Sequence, residues 1–170
     1  YNISVEYKKS VAAEASIYLD DLELALAYLG SVFTKRLNRH FNTTGFGFRV
    51  SIMPFPEDEL EGRAWIDALF VFNSAARTGY EQTINLYVKP EKRLNPSVIV
   101  HEFGHALHNC IGYDAFAKIN GGKASYTGGG DLDTTCYVSN YATSDHYEDF
   151  AETFRCLVMD DADAKANYLT

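Results

Sequence analysis

Cysteine is scarce in this sequence: three residues among 170, Cys110, Cys136 and Cys156. None stands in a C-x-x-C pair, which argues against a structural zinc knuckle. The odd count leaves at least one free thiol or one intermolecular bond, and room for one intrachain disulfide whose pairing the sequence does not choose. Positive charge is also short. Lys and Arg number 15 against 23 Asp and Glu, a formal net charge of −8. Such a chain repels phosphate backbones and has no basic stripe to offset this, so nucleic acid is disfavoured as a partner. The one basic cluster, Lys89, Lys92 and Arg93, flanks Pro90 and reads as a solvated loop. No run approaches the roughly 18–20 apolar residues of a membrane span. The opening Tyr1-Asn2-Ile3-Ser4-Val5-Glu6 has neither a basic start nor an apolar signal core, and no initiator Met precedes it. The expectation is a mature form or an excised domain.

What is present fits one folded domain over residues 1–170. Apolar residues make up 46% and charged residues 22%, enough for one core and too few charges for disorder. The twelve tyrosines point to a secreted or cell-surface protein, and a monomer is expected. Residues 11–41 read as one long helix or two, with Ala12, Ala15, Leu19, Leu22, Leu26, Leu29 and Phe33 at helical spacing. Phe46 to Ile52 alternates as a strand, closed by Pro54 and Pro56. Residues 55–64 read as a surface loop, Trp65 to Asn73 as a buried strand and Thr83 to Lys89 as a further strand. Asn95-Pro96 opens a helix to about Cys110, which Gly112 stops. A short helix is expected over 113–119, a Gly-rich flexible loop over 120–135 and a last helix from Tyr147 to Met159. The order predicts an α+β fold without βαβ alternation: a helix-and-sheet part over 1–94 and a helical part over 95–170.

Residues 101–105 read His-Glu-Phe-Gly-His, an H-E-x-x-H pattern. Residues four apart on a helix lie on one face, about a turn apart, so both imidazoles can reach one metal ion. Glu102 lies roughly 100° around the helix, where it reaches the metal's open position and can take a proton from bound water. The apolar flanks Ser97-Val98-Ile99-Val100 and Ala106-Leu107 give the buried helix that the motif requires. The plain alternative is a pair of core histidines bonded locally.

Zinc needs a third protein ligand. The pattern H-E-x-x-H-x-x-G-x-x-H is absent, because His108 and Ile111 stand where its Gly and last His belong. His108 cannot join His101 and His105 without bending the helix, and reads as a buried or cleft-lining side chain. Glu148 is a second candidate, at the start of the last helix. Glu152, one turn further, can accept the outer ring N–H of a ligand histidine and fix its tautomer. Read alone, both are a solvated acidic face at a helix start. Asp131, Asp133, Asp145 and His146 form a third group; aspartates are common in loops without metal, and His146 reads as exposed.

H-E-F-G-H followed by Ser139-Asn140-Tyr141 and Glu148-Asp149-Phe150-Ala151-Glu152 resembles the gluzincin peptidases of the anthrax lethal factor catalytic-domain type, which include the Pro-Pro endopeptidases. It also resembles zinc metallopeptidase lipoproteins of gut bacteria. The likeness covers roughly residues 97–158, about a third of the chain. It implies a zincin-like fold, with a small mixed sheet packed on an N-terminal helix and an active-site helix. It implies a bacterial zinc endopeptidase acting on protein or peptide substrates. It further implies Glu148 as third Zn²⁺ ligand beside His101 and His105, Glu152 as the carboxylate behind a ligand, and Tyr141 as the phenol that stabilises the oxyanion. Asp149 departs from the pattern, standing where lethal factor has an aromatic residue, and the Gly121–Gly130 stretch does not match, so substrate preference does not carry over.

The expected reaction is peptide hydrolysis by metal-activated water with Glu102 as base. Thr83 to Val88 is expected as an edge strand that pairs with an extended substrate. The rival readings are a zinc-binding module without catalysis and a zinc hydrolase of a non-peptide amide.

Overall fold

A computed structural model describes residues 3–44, 47–56, 66–72, 80–89, 93–112, 116 and 137–159. The elements expected over 113–119 and 120–135 lie outside the described residues, apart from Phe116. The chain divides into two compact units, Tyr1–Glu102 and Phe103–Thr170.

The first unit is a four-stranded mixed sheet with one long helix. Its elements are β1 (Ile3–Tyr7), a 3-10 turn (Lys9–Val11), α1 (Ala15–Thr44), β2 (Gly47–Pro54), β3 (Ala68–Phe72) and β4 (Tyr80–Val88). The spatial order is β1-β2-β4-β3. β1 runs parallel to β2, β2 parallel to β4, and β3 antiparallel to β4. Parallel neighbours need a crossover, and α1 supplies it between β1 and β2. One βαβ unit therefore opens the chain, contrary to expectation, because β1 owes its status as a strand to pairing with distant β2. No alternation follows, and the class is α+β.

Two further expectations are corrected. β4 is not an edge: it is bonded to β2 on one side and β3 on the other, so its backbone has no free side for a substrate. β3 is the edge instead of a buried strand, and Leu69, Val71 and Phe72 face solvent, Val71 at 40% exposure. The sheet's apolar side carries Phe48, Val50 and Ile52 from β2 and Ile84 and Leu86 from β4, all fully buried. Their period of two is what a strand with one covered face requires.

α1 begins at Ala15, four residues later than its periodicity suggested, because Lys9–Val11 is a separate 3-10 turn. Its buried stripe is Ala15, Tyr18, Leu22, Ala25, Leu29, Phe33 and Leu37, with Leu19 turned outward in place of Tyr18. The tyrosine does what a leucine cannot. Its hydroxyl donates to the Tyr87 carbonyl and accepts the Lys89 N–H, each at 3.2 Å, and so closes the end of β4. Gly30 interrupts α1 with φ 68° and ψ 177°. Lys89, expected in solvated loop, is largely buried, with Nζ 2.6 Å from Asp67; Arg93 keeps 69% of its side chain exposed while Nη2 reaches buried Asp21 at 2.6 Å.

Candidate metal centre

α2 (Pro96–Ile111) starts where the sequence indicated. Asn95 Oδ1 accepts the Ser97 N–H at 2.9 Å and the Asn95 carbonyl accepts the Val98 N–H at 2.9 Å. Pro96, lacking an N–H, occupies the first turn without loss. The far end closes with the Gly112 N–H on the His108 carbonyl at 3.0 Å. Ile99, Val100, Phe103 and Ala106 are fully buried, which fixes the rotation of the helix about its axis. His101 and Glu102 are thereby buried and His105 half-buried. The helix runs unbroken through residues 102 and 103, so His101 and His105 keep the one-turn spacing of their motif.

α3 (His146–Met159) carries Glu148 in its first turn. Asp145 caps it: Oδ1 accepts the N–H of Tyr147 at 2.8 Å and of Glu148 at 3.0 Å. That cap holds the ligand candidate's own backbone, and it accounts for Asp145 without a metal. Gly104 then sets the distance between α2 and α3. A Cβ at this position would lie 2.8 Å from Ala151 Cα and 3.2 Å from the Ala151 carbonyl oxygen. Only a residue with no side chain lets α3 come this close, and Ala151 lies one turn beyond Glu148 on α3.

The result is a three-residue donor set. One ligand atom from each of His101, His105 and Glu148 lies within 4.8 Å of the other two, so the group can hold a metal ion. His105 Nε2 and Glu148 Oε2 are 3.4 Å apart. Zinc bonds of about 2.0–2.2 Å at a tetrahedral angle put neighbouring ligand atoms about 3.3–3.6 Å apart, so that pair fits one zinc ion. Two imidazoles and one carboxylate are also a donor set that catalytic zinc sites use.

Tyr141 opens a 3-10 turn, Tyr141–Thr143, just before α3, and the residue is 47% exposed. Glu152 is buried one turn after Glu148, where its Oε2 accepts from Ser139 Oγ at 2.7 Å and from Arg155 Nη2 at 2.9 Å. His108 is fully buried. Its ring stacks on Phe150 with centroids 4.4 Å apart, which selects the buried reading over the cleft-lining one. His146 is half-buried instead of exposed, and leans on the Tyr147 ring at 3.8 Å. Asp131 and Asp133 lie outside the described residues.

Sequence reasoning assigned no role to Gly104 or Ser139 and did not foresee that Asp149 is buried. Gly104 had a signal in the motif itself, since glycine weakens a helix interior and is kept there for a reason. Cys110 and Cys156 are not bonded to each other, and Cys136 lies outside the described residues. Burial pushes the Cys156 thiol above its ordinary 9.0; the Arg155 charge opposes this and Glu152 adds to it.

Residues 70–170, more than half of the chain, match a family model described as "Putative zinc-binding metallo-peptidase". That span includes the H-E-x-x-H segment, Tyr141, Glu148 and Glu152. No curated protein matches the chain.

Proposed function

The chain belongs to this zinc-binding metallo-peptidase family, and from that premise we propose that it is a gluzincin-type endopeptidase, the mode suggested by its likeness to the lethal factor and Pro-Pro endopeptidase group. The observation that carries the reading is the convergence of His101, His105 and Glu148, with ligand atoms within 4.8 Å of one another. In this reading Glu148 completes the zinc site, and the fourth position is left for water and substrate. Zinc bound there would polarise the scissile carbonyl and lower the pKa of its water to about 7.

The protein's own groups carry the rest. Glu102, next to a ligand on α2, takes the proton of the attacking water on its carboxylate and gives it to the leaving amine. Tyr141 donates its phenolic O–H to the oxygen on which negative charge develops. Its exposure suits a group that must meet a substrate arriving from solvent. The twelve tyrosines and the likeness to bacterial peptidases support a secreted or cell-surface enzyme.

Replacing Glu102 with alanine tests the assignment. The variant should keep one zinc per chain by metal analysis and lose about 10²–10⁴-fold in cleavage of a mixed peptide library, the usual contribution of a positioned acid–base group. Cleavage near the wild-type rate would remove Glu102 as the base.

A further inference from the structure

The three-residue turn Tyr141–Thr143 is tied to α3 by one hydroxyl. Ser139 Oγ is buried and makes two hydrogen bonds of opposite sense. It donates to Glu152 Oε2 at 2.7 Å and accepts the N–H of Ala142 at 3.0 Å. Asn140, next in the chain, offers no side-chain cap to the 3-10 turn, so the serine fills that place. Within the turn, Thr143 Oγ1 donates to the Asn140 carbonyl at 2.7 Å. Behind Ser139, Arg155 Nη2 donates to the same Glu152 oxygen at 2.9 Å. The polarity is fully determined. A hydroxyl has one proton; the carboxylate takes it, and the lone pairs are left for the Ala142 amide.

We propose that Ser139 is a positioning residue, which clamps the Tyr141 turn to α3 through Glu152 so that the phenol and the Glu148 carboxylate share one rigid support. The inference rests on the proposed role of Tyr141. Glu148 and Glu152 lie one turn apart on α3, so a turn bolted to Glu152 is held in register with Glu148. Misplacement by about 1 Å can cost a reacting group roughly a hundredfold in rate, which is the kind of loss such a clamp prevents.

The test uses the full zinc-loaded chain, a quenched fluorescent peptide library and amide hydrogen exchange. Ser139→Ala should raise the exchange rate of the Ala142 amide about tenfold, the worth of one ordinary hydrogen bond. It should lower kcat by roughly tenfold to a hundredfold, with KM and zinc content near wild type. Ser139→Thr, which keeps the hydroxyl, should restore both; Ser139→Cys replaces the alanine variant if that one does not fold. The deciding measurement is the cycle with Tyr141→Phe. A residue that acts through the phenol has nothing left to position once the phenol is gone, so Ser139→Ala should cost little further rate in that background. An equal loss in both backgrounds, or loss of Ala142 protection without loss of kcat, overturns the clamp. Wild-type rate in Tyr141→Phe alone removes the role of Tyr141 and the clamp with it. If the wild-type chain cleaves no member of the library, the peptidase reading itself fails.

Discussion

The β2–β4 sheet and the α2–α3 helix pair bury different chemistry. The sheet buries Phe48, Val50, Ile52, Ile84 and Leu86, a set whose removal from water lowers free energy directly. The helices bury His101, Glu102, His108, Asp149 and Glu152, groups whose burial costs free energy unless each finds a partner. A region that accepts that cost is the place to look for chemistry. The sheet's side chains are set by fit, the helix pair's by partners, and the two should respond to mutation differently.

The largest effect should come from the sheet. Phe48→Ala removes a fully buried ring, and should destabilise the chain by about 3–5 kcal/mol in a denaturant titration. The metal affinity of the fraction that remains folded should hardly change. Gly104→Ala is the opposite case. Its added methyl meets backbone atoms of Ala151, an overpacking expected to cost about 1–3 kcal/mol. Zinc affinity by competition with a chelator should fall too, because α3 carries Glu148 away with it. Equal zinc affinity in the two variants would erase the distinction between the regions.

Asp145→Ala should cost about 1 kcal/mol, the usual worth of an N-cap, read as a fall in melting temperature. Part of that loss should appear as weaker zinc binding, since the cap holds the Glu148 N–H. The smallest effect concerns Cys156. Its thiol is held above the ordinary 9.0 in the folded chain, so the folded state keeps a proton that the unfolded state gives up. Its contribution to stability is intact below pH 9 and declines as the pH rises further. At pH 8 a maleimide should label Cys156, 9% exposed, more slowly than half-buried Cys110; mass spectrometry of the labelled peptides reads the order.

Much of this was legible from local pattern. The Asn95-Pro96 cap, the four-residue spacing of His101 and His105, and the extent of β2 and α3 each depend on neighbours within a turn or a strand. What escaped depends on partners far along the chain. β1 alternates Ile3, Val5 and Tyr7 with Ser4 and Glu6, yet its status as a strand comes from pairing with residues 48–52. β4 looks the same at an edge or in the middle, and only β2 and β3 decide. Tyr18 and Leu19 both fit a helical stripe, and the choice was made by the backbone at Tyr87 and Lys89. Glu148 read alone is an ordinary first-turn acid, and only the resemblance singled it out; what lets α3 approach α2 is Gly104, whose role depends on Ala151 far along the chain.

Gly30 and Gly104 show that glycine can be required for unrelated reasons. A methyl at position 30 would find open space, yet φ there is 68°; a methyl at position 104 would strike Ala151 inside an ordinary helix. Handedness separates the two. A mirror-image alanine at position 30 takes that torsion as readily as an ordinary alanine takes its own extended conformation, and restricts the unfolded chain as well. At position 104 a mirror-image residue brings no such gain, since right-handed helical torsions are sterically unfavourable for it. The first glycine answers to chirality, the second to volume.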